Sequence, residues 1–107
     1  MTYRVTISAQ AEADLRGIYE YIAFKLRSTI NAAGQLERLE KAIRELDTMP
    51  ERYALYGKGK WAERGLRKMP VDNYLVYYIP DRDTLTVNVI RVLYGGMDVK
   101  REMESNT

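Results

Sequence analysis

The chain has 107 residues, 46% hydrophobic and 30% charged, with a formal net charge of +2, a composition that fits one folded domain, 1–107, around a single core. It contains no cysteine and no histidine, which excludes a disulfide framework, a thiolate nucleophile and the usual structural zinc sites, and removes the commonest general base near neutral pH. No run approaches the roughly 18 apolar residues of a membrane span. The amino end lacks an apolar signal core, so the expectation is a soluble, cytoplasmic protein with no membrane partner, no metal and no cofactor.

Residues 2–7 alternate Tyr3, Val5 and Ile7 against Arg4 and Thr6, which predicts a short strand. Ser8 follows as a helix cap, and from Ala11 the apolar residues Leu15, Ile18, Ile22 and Leu26 recur at spacings of three and four on one helical face. Arg27, Ser28 and Thr29 break that pattern and cap a second helix. Its stripe is Ala33, Leu36, Leu39, Ile43, Leu46 and Met49, and Pro50 closes it. The two helices are expected to form an antiparallel hairpin with both stripes facing the sheet.

Residues 51–63 lose all periodicity and read as a surface loop, with Tyr53, Tyr56 and Trp61 as aromatics that either anchor it to the core or stack on bases. From Lys58 to Lys68 come Lys58, Lys60, Arg64, Arg67 and Lys68, opposed only by Glu63. Such a cluster either binds phosphates or keeps a strand edge soluble. Residues 65–71 predict a strand that Pro70 confines to an edge or a bulge. After a turn at Asp72 and Asn73, residues 74–94 predict a β-hairpin, its runs of Tyr, Val, Ile and Leu divided by Pro80, Asp81, Arg82 and Asp83. Its last strand, residues 84–94, is expected as the outer one. Strict alternation there places Leu85, Val87, Val89, Arg91 and Leu93 on one face, and Thr86, Asn88, Ile90, Val92 and Tyr94 on the other. The predicted order is β-α-α-β-β-β, an α+β fold with a helical hairpin packed on one face of a small, mainly antiparallel sheet.

An ordered set of residues then carries a resemblance. It comprises the opening strand, a helix with Ala11, Asp14, Leu15, Ile18, Tyr21 and Ile22, then Met49 and Pro50 with Arg52 and Tyr53, then Arg67. Asn73 to Tyr78 and the closing run Ile90 to Asp98 complete it. Over nearly its whole length the chain resembles the RelE/ParE superfamily of toxins from bacterial type II toxin-antitoxin modules, also called plasmid stabilisation proteins. The resemblance implies growth arrest on release from a cognate antitoxin that wraps the toxin, with possible higher-order toxin-antitoxin assembly. It also implies one of two targets. ParE-like members poison DNA gyrase without chemistry of their own, and RelE-like members cleave ribosome-bound mRNA as metal-independent endoribonucleases.

Attack by a ribose 2′-hydroxyl requires a proton acceptor, cations against the phosphorane charge and an acid for the leaving oxygen. Under the RelE-like reading, Arg67, Lys68, Arg91 and Tyr94 are the catalytic candidates, while Lys58, Lys60, Trp61, Arg64 and Tyr78 contact RNA or another target. Two positions depart from the RelE-like pattern. Leu75 and Met97 stand where such nucleases commonly place arginines, and losing a desolvated cation there costs several kcal/mol of transition-state stabilisation. These departures and the long helical hairpin favour a ParE-like gyrase poison. The basic segment supports the endoribonuclease alternative, and Met97 supports a third reading, an attenuated toxin that only binds its antitoxin.

Overall fold

Ser8 is where strand becomes helix. Its hydroxyl accepts from the Ala11 amide at 3.0 Å and donates to the Ile90 carbonyl at 2.8 Å, capping the helix and tying its start to the sheet. The computed structural model describes residues 2–57 and 59–95. In it β1 (Arg4–Ile7) leads through Ser8 into α1 (Ala9–Glu20) and directly on into a π-helical segment, Tyr21–Lys25. There the Leu26 amide donates to the Tyr21 carbonyl five residues back, at 3.1 Å. The wider turn rotates Leu26 off the apolar stripe, leaving it 56% exposed against the expectation that it would be buried. Arg27 reverses the chain with φ 54°.

Ser28 caps α2 (Thr29–Arg44), accepting from the Asn31 amide at 3.2 Å. The buried face of α2 runs through Ala32, Gln35, Leu39 and Ile43, so Ala32 takes the inward place expected of Ala33. A 3-10 turn at Glu45–Asp47 keeps Leu46 buried. Met49 lies beyond it, with φ 47° and 70% exposed, and so leaves the stripe on which the spacing placed it. A second 3-10 turn, Pro50–Arg52, and a short helix, α3 (Lys60–Glu63), interrupt the segment expected to be loop.

The sheet adds β2 (Arg67–Val71), β3 (Tyr74–Asp81) and β4 (Thr86–Tyr94) in the order β1-β4-β3-β2, with β1 parallel to β4 and the other pairs antiparallel. The last strand is therefore interior, not outer, because β1 returns to pair along its far side. The strict alternation also fails within it. Tyr77 pairs with Arg91 but Tyr78 pairs with Val89, leaving Ile90 as an extra bulged residue. Val87 and Val89 thus share a face with Val92, while Arg91 and Leu93 turn to the other side. Pro70 sits on the edge strand β2, as its missing N–H requires. Pro80 lies within β3 and pairs with Val87, past Tyr78, where the pairing with β2 has ended.

Each face of the sheet has its own cover. Ala11, Leu15, Leu39, Ile43 and Leu46 from the helices bury Met69, Val76, Tyr78, Val87, Val89 and Val92. On the other side Leu66, Tyr77 and Leu93 are buried with Tyr56, Trp61, Leu75, Ile79 and Ile90 packed around them. Tyr56 meets the Tyr77 ring edge-on with centroids 5.3 Å apart, so Tyr56 and Trp61 anchor their segment on this face of the sheet, while Tyr53 packs against the helix-side core.

Candidate functional site

Strand pleating separates the two cations of β2. Arg67 lies opposite Tyr78 and Lys68 opposite Tyr77, and since Tyr78 faces the helices and Tyr77 the other side, Arg67 and Lys68 point to opposite faces. Arg67 is committed to the backbone that crosses it: one Nη donates to the Glu51 carbonyl at 3.0 Å and to the Tyr53 carbonyl at 2.6 Å. Its Nε is buried with no hydrogen-bond partner among the described residues. Lys68 is exposed. Tyr78, expected at a target surface, is 0% exposed and donates its hydroxyl to the Pro50 carbonyl at 2.6 Å. Burial raises its pKa to about 12, against the opposing pull of Arg67 and Arg52. Tyr78 is a core residue and its phenol is unavailable to a macromolecular partner.

Arg91 is the second candidate that the fold absorbs. Its Nε and Nη2 donate to the two oxygens of Asp14 at 2.8 and 2.9 Å, and the Val92 amide donates to the same carboxylate at 2.9 Å. β1 pairs with β4 only as far as Val89, so beyond it Ser8 and Asp14 of the first helical segment satisfy the strand edge that β1 leaves open. Asp14, 77 positions away in the chain, is thus a carboxylate that orders Arg91.

Tyr94 stands at the far end of β4 in a different setting. It is registered opposite Tyr74, with the Gly95 amide donating to the Asn73 carbonyl at 2.9 Å. This makes Tyr74 and Tyr94 a non-hydrogen-bonded pair whose side chains approach closely, and the rings meet edge to face at 5.9 Å. Burial, with Tyr94 and Tyr21 nearby, raises the pKa of Tyr74. The rings border an open cleft of about 300 Å³ that Pro70, Asp72, Asn73, Leu75 and Gly95 also line. Asp72 occupies the two-residue turn at φ 55°, a left-handed conformation that Asp tolerates. Its Oδ2 accepts from Gln35 Nε2 at 2.9 Å and from Arg38 Nε at 2.8 Å. These bonds hold its carboxyl below the usual carboxylate pKa, Arg38 contributing most and Gln35 next. No lysine or arginine is among the described residues that line this cleft.

Of the expected target-binding residues, Lys60 and Arg64 are exposed on and just after α3. Arg64 stacks its guanidinium 4.6 Å from the centre of the half-buried Trp61 ring. Lys58 and Met97 lie outside the described residues. Leu75 is half-buried against Leu66, Tyr77 and Leu93. The four catalytic candidates therefore do not converge: Arg67 is on the helix face, Lys68 on the other face, Arg91 is bound to Asp14, and Tyr94 borders a cleft without cations. Asp72 and Asn73 are cleft residues in the fold but not among the site residues expected from the sequence. Their turn signal was present, but nothing local showed that the end of β4 would come beside them.

Among the described residues no group of acidic side chains is placed to hold a metal ion, and no helix is long and apolar enough to cross a membrane. The sequence model of a family described as the ParE toxin of the type II toxin-antitoxin system parDE matches residues 5–99. No protein with a curated description matches the chain. Among solved structures, the chain is similar to one of the chromosomal ParDE toxin-antitoxin system from P. aeruginosa, with TM-score 0.72, 12% identity, and 87% of this chain and 96% of that chain covered. It is also similar to a structure of an E. coli RelE double mutant in the free state, with TM-score 0.64, 20% identity and 99% and 97% covered. A third is the RelBE2 toxin-antitoxin complex from Mycobacterium tuberculosis, with TM-score 0.62, 21% identity and 88% and 99% covered. At these identities the likeness is one of fold.

Proposed function

The chain belongs to the family of ParE toxins of type II toxin-antitoxin systems, and from that premise we propose that it arrests growth in the cytoplasm by binding DNA gyrase, without bond-making chemistry of its own, until a cognate antitoxin captures it. The observation that carries this reading is the dispersal of the groups a nuclease would need. In-line cleavage requires a base, an acid and charge stabilisation within hydrogen-bond reach of one phosphate. Here Arg91 is spent on Asp14 and Arg67 on two loop carbonyls, while Lys68 and Tyr94 stand apart. The antitoxin is supported by the family and by the fold shared with toxins of known toxin-antitoxin complexes. Higher-order assembly of toxin with antitoxin belongs to the same reading.

Expression without antitoxin tests the proposal in cells. Gyrase poisoning produces DNA-damage signalling while bulk translation continues at first; immediate arrest of translation with normal supercoiling would reject it. A ribosome-dependent mRNA endoribonuclease is the second reading, favoured by the exposed Lys60, Arg64 and Lys68 and by the stacking of Arg64 on Trp61.

A further inference from the structure

The cleft at the end of the sheet is a concave feature that neither the core nor the loop anchor uses. Both Arg38 and Gln35 donate to Oδ2 of Asp72, leaving Oδ1 without a hydrogen-bond partner among the described residues, on a side chain 42% exposed. Two phenol rings stand beside it at 75° to one another, and Tyr94 is 52% exposed. A ring face carries the negative end of the aromatic quadrupole and attracts a guanidinium or ammonium group, and a free carboxylate oxygen accepts a charge-assisted hydrogen bond from the same group. Arg38 and Gln35 compensate the Asp72 charge through Oδ2 alone, so Oδ1 and the exposed Tyr94 ring remain as the acceptor and the π face of the cleft, and none of the described lining residues is itself a cation. The volume, about 300 Å³, stands at the lower limit of the roughly 300–1,000 Å³ of ligand pockets, and so admits one side chain rather than a helix.

We infer that the Asp72–Tyr74–Tyr94 cleft is a docking site for an arginine side chain presented by a partner protein. The guanidinium plane lies against the Tyr94 ring and donates to Asp72 Oδ1, a planar fork being better suited than the compact ammonium of lysine to do both at once. The site is independent of whether the toxin acts on gyrase or on mRNA, since either reading involves a protein partner.

The test titrates the intact, ¹⁵N-labelled chain with N-acetyl-arginine amide and follows backbone amides by NMR. The expected result is saturable shifts at Asn73, Tyr94 and Gly95 with the arginine amide, and none with N-acetyl-norleucine amide or N-acetyl-glutamate amide. Tyr94→Leu and Asp72→Asn should each weaken binding about 3-fold or more; Asn suits the left-handed turn, so the second variant keeps the fold. Equal shifts with norleucine, arginine shifts mapping elsewhere, or none at all would overturn the inference. So would shifts of these amides by an oligouridine probe and not by arginine.

Discussion

Asp14 of α1 grips Arg91 of β4 with both carboxylate oxygens, at 2.8 and 2.9 Å, and takes the neighbouring Val92 amide as well. One carboxylate thereby fixes the helix to an interior strand just where β1 stops covering it. The side chains are only 11% and 14% exposed, so removing either partner leaves a charge poorly solvated. Arg91→Ala should lower unfolding free energy by about 3 kcal/mol, measured by urea denaturation. Antitoxin binding per folded molecule should stay within about twofold, and target inhibition likewise. Loss of inhibition with unchanged stability would return Arg91 to the functional site.

Tyr77 and Tyr78 are neighbours buried on opposite faces of β3, and burial raises each from an ordinary 10.0 to about 12. The native fold favours the neutral phenol, so its stabilisation is complete below pH 10 and is lost as pH rises toward 12. Each ring contributes on the order of 2–3 kcal/mol to that loss. Urea titrations from pH 8 to 12 should show it, and Tyr78→Phe should reduce its steepness. That variant should also cost about 1–2 kcal/mol at pH 7, because the Pro50 carbonyl loses its donor. Stability that stays level to pH 12 would contradict this burial.

Met49 combines a left-handed backbone, φ 47°, with little burial, being 70% exposed. A left-handed conformation costs an L-residue roughly 1–2 kcal/mol that glycine avoids. Glycine returns about 0.5–1 kcal/mol of this as unfolded-state entropy, so Met49→Gly should raise the melting temperature by a net stabilisation of about 0.5–1 kcal/mol, while a fall would show that Met49 makes contacts worth more than the strain.

Helix caps at Ser8 and Ser28, the apolar face of α1 and the hairpin of β3 and β4 were legible in the chain, because each rests on a local pattern of a few residues. What local pattern cannot encode is strand order: nothing near Val89 announces that β1 will pair along its far side and make β4 interior. The bulge at Ile90 is equally silent, since an apolar run such as Val89, Ile90, Arg91, Val92 and Leu93 fits either register. Leu26 and Met49 were misplaced where a π turn and a left-handed residue broke the 3.6-residue period on which the expectation relied. At the candidate site the basic residues were found, but their grouping was not. Adjacent positions such as Arg67 and Lys68 point to opposite faces of a strand, and only the fold shows that Arg91 meets Asp14.

RNA affinity, on which the second reading depends, should behave as simple charge neutralisation. Because Arg67 is occupied by backbone carbonyls, the segment has four cations left, Lys58, Lys60, Arg64 and Lys68. Contacts to about four phosphates would weaken single-stranded RNA binding about 50-fold between 50 and 200 mM salt. Replacing Lys60 and Lys68 by alanine should reduce the log-log slope by about 1.4. A salt response that does not change with those replacements would remove this segment as an RNA contact.

The most direct test of a binding poison sets the two targets side by side with one preparation of antitoxin-free protein. DNA gyrase supercoiling is measured in one reaction, and integrity of mRNA on programmed ribosomes in the other. Inhibited supercoiling with intact mRNA is the predicted result; cleaved mRNA with supercoiling untouched would contradict the account.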